Sequence, residues 1–210
     1  MNFLAHLYLA GESDHHRLGG LMGDFVKGPL PGTLPADLAE GVLLHRRIDS
    51  YADRHPAFQR SRARMSVERR RYGGILVDMF YDHFLARLWT QFHPQPLPDY
   101  VRGAYWLLQK NEARLPAEMV QVARAMAAGD WLSSYAKTDA IAVAVDRMAL
   151  RRLRMPNTLA GGVVELLGDY AGFEADFVEF ITDARLFCNE FLAGIGASLR
   201  TGSDSQSPIR

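Results

Sequence analysis

Seven ionisable side chains fall on stretches that otherwise read as buried helix: His6, Asp24, His45, Asp49, Asp78, Asp82 and His83. Taking an ionised carboxylate out of water is costly unless a strong partner receives it. Histidine with aspartate is a donor set that hard or borderline divalent cations accept, Mn²⁺, Mg²⁺ and Fe²⁺ among them, and water on such an ion becomes a nucleophile near neutral pH. Metal-assisted hydrolysis is the chemistry this set supports. The competing explanation is a set of buried salt bridges to arginines on other helices.

The elements that must position these groups are helical. Apolar residues recur at three- and four-residue spacings near 2–10, 36–53, 57–70, 74–92, 99–112, 117–128, 139–153 and 173–199, and no convincing strand interrupts them. Loops are expected at Gly28 to Gly32, at Pro94 to Pro98 and at Gly161–Gly162. In the segment 36–53, Leu38, Val42, His45 and Asp49 fall within about 60° of one another at 100° per residue, so the His and the Asp extend a buried stripe. A core histidine bonded to its own i+4 aspartate would give the same pattern. The segment 74–92 is apolar all round, which belongs in the middle of a bundle, and Asp78 and Asp82 lie one turn apart on it. His6 shares a stripe with Phe3, Leu7 and Ala10, and glycines 19, 20 and 23 allow Asp24 to be presented at a close helix junction. His15, His16, His55 and His93 sit in polar tracts or at expected helix ends and are left outside the candidate set.

The segments MNFLAHLYLA, GDFVKG, LHRRIDSYADRHP and VDMFYDHFLARLW, with DWLSSY and MALRR after them, resemble the acyl-carrier-protein phosphodiesterase family in the family's order from residue 1 to about 152. That family is regarded as a divergent branch of the HD-type metal-dependent phosphohydrolases. The resemblance implies an all-α, HD-domain-like bundle; length and composition make it a single domain over residues 1–200, and the small, polar stretch 201–210 is expected to be a disordered tail. The resemblance also implies Mn²⁺-dependent hydrolysis of the phosphodiester between 4′-phosphopantetheine and a serine of acyl carrier protein, with Mg²⁺ or Fe²⁺ as other possible ions.

Carried over to this sequence, the resemblance puts weight on the same seven residues and adds Arg46, Arg151 and Arg152. We expect Asp24, His45, Asp82 and His83 to supply metal ligands, with His6, Asp49 and Asp78 in catalytic roles and the three arginines on phosphate. The pair Asp82–His83 runs in the opposite order to the His–Asp pair that names the HD superfamily, which leaves the division of ligands open. Arg60, Arg62, Arg64, Arg69, Arg70 and Arg71 cluster within twelve residues. Arg69, Arg70 and Arg71 are the expected contacts for the acidic carrier protein, against the alternative of an ordinary solvated face.

Composition bounds the other readings. A chain of 210 residues, 48% hydrophobic, can bury one sizeable core. The formal net charge is +0, so no global basic field gathers nucleic acid. Cys188 is the only cysteine, which excludes an internal disulfide and a cysteine zinc cluster. No run of 18 uncharged apolar residues suggests a membrane span, and a cytoplasmic protein is expected. Two alternatives remain: an HD-like hydrolase of a small nucleotide or phosphate ester, and a non-enzymatic helical module with salt-bridged acids.

Overall fold

The computed structural model describes residues 2–152 and 157–203, with side chains for 2–150 and 157–194. Eleven α-helices follow one another among these residues, and no strand occurs. They are α1 (Phe3–Leu9), α2 (Asp14–Met22), α3 (Ala36–Arg54), α4 (Pro56–Ala63), α5 (Gly73–Arg87), α6 (Leu97–Lys110), α7 (Ala117–Ala128), α8 (Trp131–Ser134), α9 (Thr138–Arg152), α10 (Val163–Gly168) and α11 (Tyr170–Ser203). The all-α class expected from periodicity is the class observed.

Helix α5 occupies the centre, as a helix apolar on every side must. It packs on α1, α4, α9 and α11. Its Phe80, Tyr81 and Phe84 are fully buried and meet Phe173 and Phe177 of α11 edge to face or stacked. The start of α4 is set locally: Pro56 occupies its first turn and the His55 ring accepts from the Ala57 amide.

Three helices escape the periodicity reading: α2, α8 and α10. Helix α2 is the instructive one, because Gly19 and Gly20 weaken its helical propensity. Packing supplies what propensity lacks. A Cβ on Gly19 would stand 2.5 Å from the Leu38 carbonyl oxygen and 2.7 Å from the Gly41 Cα, so α2 and α3 meet backbone to backbone. In the opposite sense, the helix expected over 57–70 ends at Ala63. The following loop is pinned to α10, where Glu165 accepts from the Ser66 amide and hydroxyl at 2.9 and 2.6 Å.

Candidate active site

Helices α1, α2 and α3 converge on one cluster. His6, the fourth residue of α1, stacks on His45 of α3 with ring centroids 3.7 Å apart and 15° between planes. Asp49, one turn beyond His45, spans the pair: its Oδ1 is 3.3 Å from His6 Nε2 and its Oδ2 is 3.1 Å from His45 Nε2. Asp24 approaches from the 3₁₀ turn Gly23–Phe25, with Oδ1 3.6 Å from His45 Nε2. The two rings are buried, while both carboxylates open onto a cleft.

Backbone groups fix the orientation of this cluster. His45 Nδ1 lies 2.7 Å from the Gly20 carbonyl, so that nitrogen carries a proton and donates it. Nε2 is thereby left to face two carboxylates. Burial alone disfavours a charged His45, but the hydrogen bonds of Asp24 and Asp49 outweigh it and raise the pKa to about 9. Hydrogen bonding to His45 correspondingly holds Asp24 below its usual range. Burial opposes ionisation of Asp49, yet His45 and His6 together depress its pKa strongly. Burial, reinforced by the neighbouring His45 charge, lowers His6 to about 3, so that ring is neutral at pH 7.

The arrangement suits a cation. Ligand atoms of His6, His45 and Asp49 all lie within 4.8 Å of one another. Neither buried ring nitrogen of His6 completes a hydrogen bond, an expensive state for an interior polar atom without a further partner. With the Nε2 proton of His45 displaced by a cation, two imidazole nitrogens and a carboxylate would form a donor set that Mn²⁺, Fe²⁺ or Zn²⁺ accepts. His6 and Asp49, expected in catalytic roles, therefore fall among the possible ligands, with His45 beside them and Asp24 within reach.

Asp82 and His83, expected as metal ligands, face elsewhere. Asp82 is fully buried, and its Oδ2 and Oδ1 accept from the Leu4 and Ala5 amides at 2.9 Å each, capping the first turn of α1. Burial raises its pKa to about 7, against the lowering effect of those two amides. Its carboxylate anchors the helix that carries His6. His83 has Nδ1 2.8 Å from the Tyr135 carbonyl and Nε2 2.7 Å from the Tyr170 hydroxyl, which also receives Arg87. Both of its nitrogens are thus engaged between α8 and α11. Asp78 does line the cleft, and burial raises its carboxyl.

The arginines divide in the same manner. Arg46, expected on phosphate, donates to the Gly28 and Val26 carbonyls at 2.8 and 3.0 Å, which staples the loop after Asp24. Arg69 is 17% exposed and pairs with Glu165 at 3.3 Å, so it is no rim charge. Arg60 and Arg64 are held by Asp176, with Glu179 and Asp169 as further partners. Arg70 and Arg71 remain exposed. The side chains of Arg151 and Arg152 lie outside the described residues. Of the excluded histidines, His55 is buried and its Nε2 pairs with Asp183 at 3.2 Å, away from the cluster.

The cleft beside the cluster encloses about 940 Å³. Asp24, Asp49, Asp53, Asp78 and Asp139 line it, together with an apolar wall that includes Trp131, Val143, Ala144 and Met148, and Arg147. Sequence reasoning did not single out this wall. Trp131 stands in the DWLSSY segment, which was the only signal pointing to it.

Known proteins bear on this geometry. The family model described as acyl carrier protein phosphodiesterase matches residues 1–184. Proteins named acyl carrier protein phosphodiesterase from Pectobacterium atrosepticum and Yersinia pestis are 36% and 35% identical over 181 residues, covering 86% of this chain and 93% of each relative. The protein of that name from Photorhabdus laumondii is 35% identical over 181 residues, with 91% of its length covered. No solved structure matches the chain significantly. With a family model covering most of its length and relatives of this identity, the chain belongs to the acyl carrier protein phosphodiesterase family.

Proposed function

We propose that the protein hydrolyses the phosphodiester joining 4′-phosphopantetheine to the serine of holo acyl carrier protein, aided by a divalent cation held by His6, His45 and Asp49, with Asp24 as a further donor. The observation that carries this reading is the orientation of His45: its Nδ1 is committed to the Gly20 carbonyl, and its Nε2 faces two carboxylates beside an unbonded His6. Mn²⁺ is the ion we assign, on the family resemblance, and the mixed nitrogen and oxygen donors are ones it accepts.

The reaction adds water to phosphorus and breaks the bond from phosphorus to the serine oxygen, releasing phosphopantetheine and restoring the serine hydroxyl. A cation, when bound, would supply activation of water and neutralisation of charge on the phosphoryl oxygens. Asp78, whose carboxyl burial raises, is the residue suited to take the proton from the attacking water. Asp82 and Arg46 act at one remove. The first fixes the start of α1 and hence His6, and the second fixes the loop bearing Asp24.

Arg70 and Arg71 are suited to meet the acidic carrier protein. No helix among the described residues is long and apolar enough to cross a membrane, and we take the cytoplasm, where carrier proteins work, as the compartment. The test is mass spectrometry of a holo carrier protein incubated with metal-stripped enzyme, with and without added Mn²⁺. Loss of the phosphopantetheine mass only with Mn²⁺ is expected, and an intact holo carrier under both conditions would overturn the reading.

A further inference from the structure

The cleft is larger than the reaction at its acidic end requires. Its volume of about 940 Å³ is near the top of the range for pockets that enclose a whole small ligand, roughly 300–1,000 Å³, whereas a single phosphodiester group is much smaller. The remaining space runs along α8 and α9. There, Trp131, Val143, Ala144 and Met148 present apolar surface, and Val143 is 48% exposed although it lies on the packed helix α9. Such surface left open beside a candidate reaction centre is a place for an uncharged part of the substrate.

The charge of the lining narrows the occupant. Five aspartates face the cleft, and Arg147 is the one cation among the described lining residues. Arg147 forms no ion pair with any described residue. A nucleotide polyphosphate would bring several negative charges and need several cations or backbone donors to receive them. One arginine against five aspartates does not provide that. A single phosphodiester brings one charge, which a cation held at the His6–His45–Asp49 end would meet, and a neutral chain with methyl groups and a few amides continuing from it suits the wall.

The wall is also built to hold its shape. Asp130, at φ 43° and ψ 52°, takes the left-handed conformation and accepts from the Tyr105 hydroxyl at 3.2 Å, while the same hydroxyl receives the Leu132 amide at 3.0 Å. This turn fixes Trp131 between its flanking residues. A Cβ on Gly129 would lie 2.7 Å from Trp131 Nε1, so the indole rests directly on the glycine backbone.

Resting on the hydrolase reading above, we propose that Trp131, Val143, Ala144 and Met148 form the seat of the pantetheine arm, with Arg147 donating to its amide carbonyls. The phosphodiester then lies toward Asp24 and Asp49, and the arm extends along α9.

Two variants of opposite charge, Val143→Asp and Val143→Lys, test the seat. Each places a charge on the apolar wall, at a position exposed enough for the fold to persist. Both are expected to raise KM for holo carrier protein by at least about tenfold, since a charge would displace apolar contact with the arm. Both are also expected to weaken calorimetric binding of free pantetheine, which carries no phosphate, by a similar factor, with Mn²⁺ affinity held within about twofold. Opposite changes of KM, up for Asp and down for Lys, would instead mark this wall as a docking face for the acidic carrier and overturn the seat. Unchanged KM in both variants, or no pantetheine binding to wild-type protein that hydrolyses holo carrier, would overturn it as well. Wild-type protein that binds pantetheine through Val143 but leaves holo carrier intact would refute the hydrolase reading alone.

Discussion

No side chain fits between Gly23 and His45: a Cβ at position 23 would stand 2.1 Å from the imidazole Cγ and 2.3 Å from Cδ2. The ring is thus held between the Gly23 backbone on one side and the His6 ring on the other. Gly23→Ala must push His45 off this position or lift the Asp24 turn. We expect it to reduce Mn²⁺ affinity and turnover by at least tenfold, with an overpacking cost of about 1–3 kcal/mol. Calorimetric Mn²⁺ titration and thermal melts read the two effects separately. Wild-type metal affinity in a folded variant would show that this contact does not position the ring.

This contact also marks where the sequence stops being legible. Apolar periodicity is enough to place α5 at the centre and His45 and Asp49 on one stripe, because burial and face follow from spacing. It does not say what a buried acid faces. Asp78 and Asp82 share a stripe one turn apart, yet the first opens onto the cleft and the second ends on the amides of Leu4 and Ala5. The stripe is set by local geometry and the partner by an element 77 residues away. The same holds for Arg46 and Arg69, whose backbone and carboxylate partners come from other segments. Helix α2 is hidden because Gly19, which lowers its propensity, is also the residue that lets it touch α3.

Metal dependence can be separated residue by residue. His45→Ala and Asp49→Ala remove donors from the cluster and are expected to cost more than about 100-fold in Mn²⁺ affinity and in kcat/KM. His83→Ala, which disturbs the Tyr135 and Tyr170 contacts, should leave Mn²⁺ affinity within about threefold and act mainly on stability. Normal metal binding in His45→Ala with loss of binding in His83→Ala would reverse the assignment of ligands.

Asp82 carries a pH signature. Its folded pKa is raised from 3.8 to about 7, chiefly by burial, so the folded protein holds this proton more tightly than the unfolded chain does. The stabilisation from that preference is complete below about pH 4 and is lost as pH rises toward 7. Asp82→Asn does not titrate, although its amide group opposes one of the α1 amides and costs about 1–3 kcal/mol at any pH. The variant should therefore be destabilised relative to wild type by that amount near pH 4, with the gap closing or reversing as pH rises toward 7 and wild type loses its protonation advantage. Denaturant unfolding of metal-free proteins at both pH values measures it. A gap that widens with pH would mean that Asp82 is an ordinary ionised cap.

The arginine run offers a test of docking apart from chemistry. The 3₁₀ turn Arg70–Tyr72 leads directly into α5, whose Gly74 and Ile75 line the cleft, so the exposed Arg70 and Arg71 stand near its mouth. Arg69 is turned inward to Glu165. Replacing Arg70 and Arg71 with Ala should raise KM for holo carrier protein about three- to tenfold and flatten its dependence on salt, with little change in kcat, because rim charges act on encounter and on uniform binding. Arg69→Ala should leave the salt dependence alone and lower stability by about 1–3 kcal/mol, since it leaves the largely buried Glu165 without its cation. Steady-state kinetics across a salt series distinguishes the two. Equal salt slopes in the double variant and wild type would return Arg70 and Arg71 to the role of solvated surface, and a changed slope in Arg69→Ala would mean that the Glu165 pairing opens when the carrier protein binds.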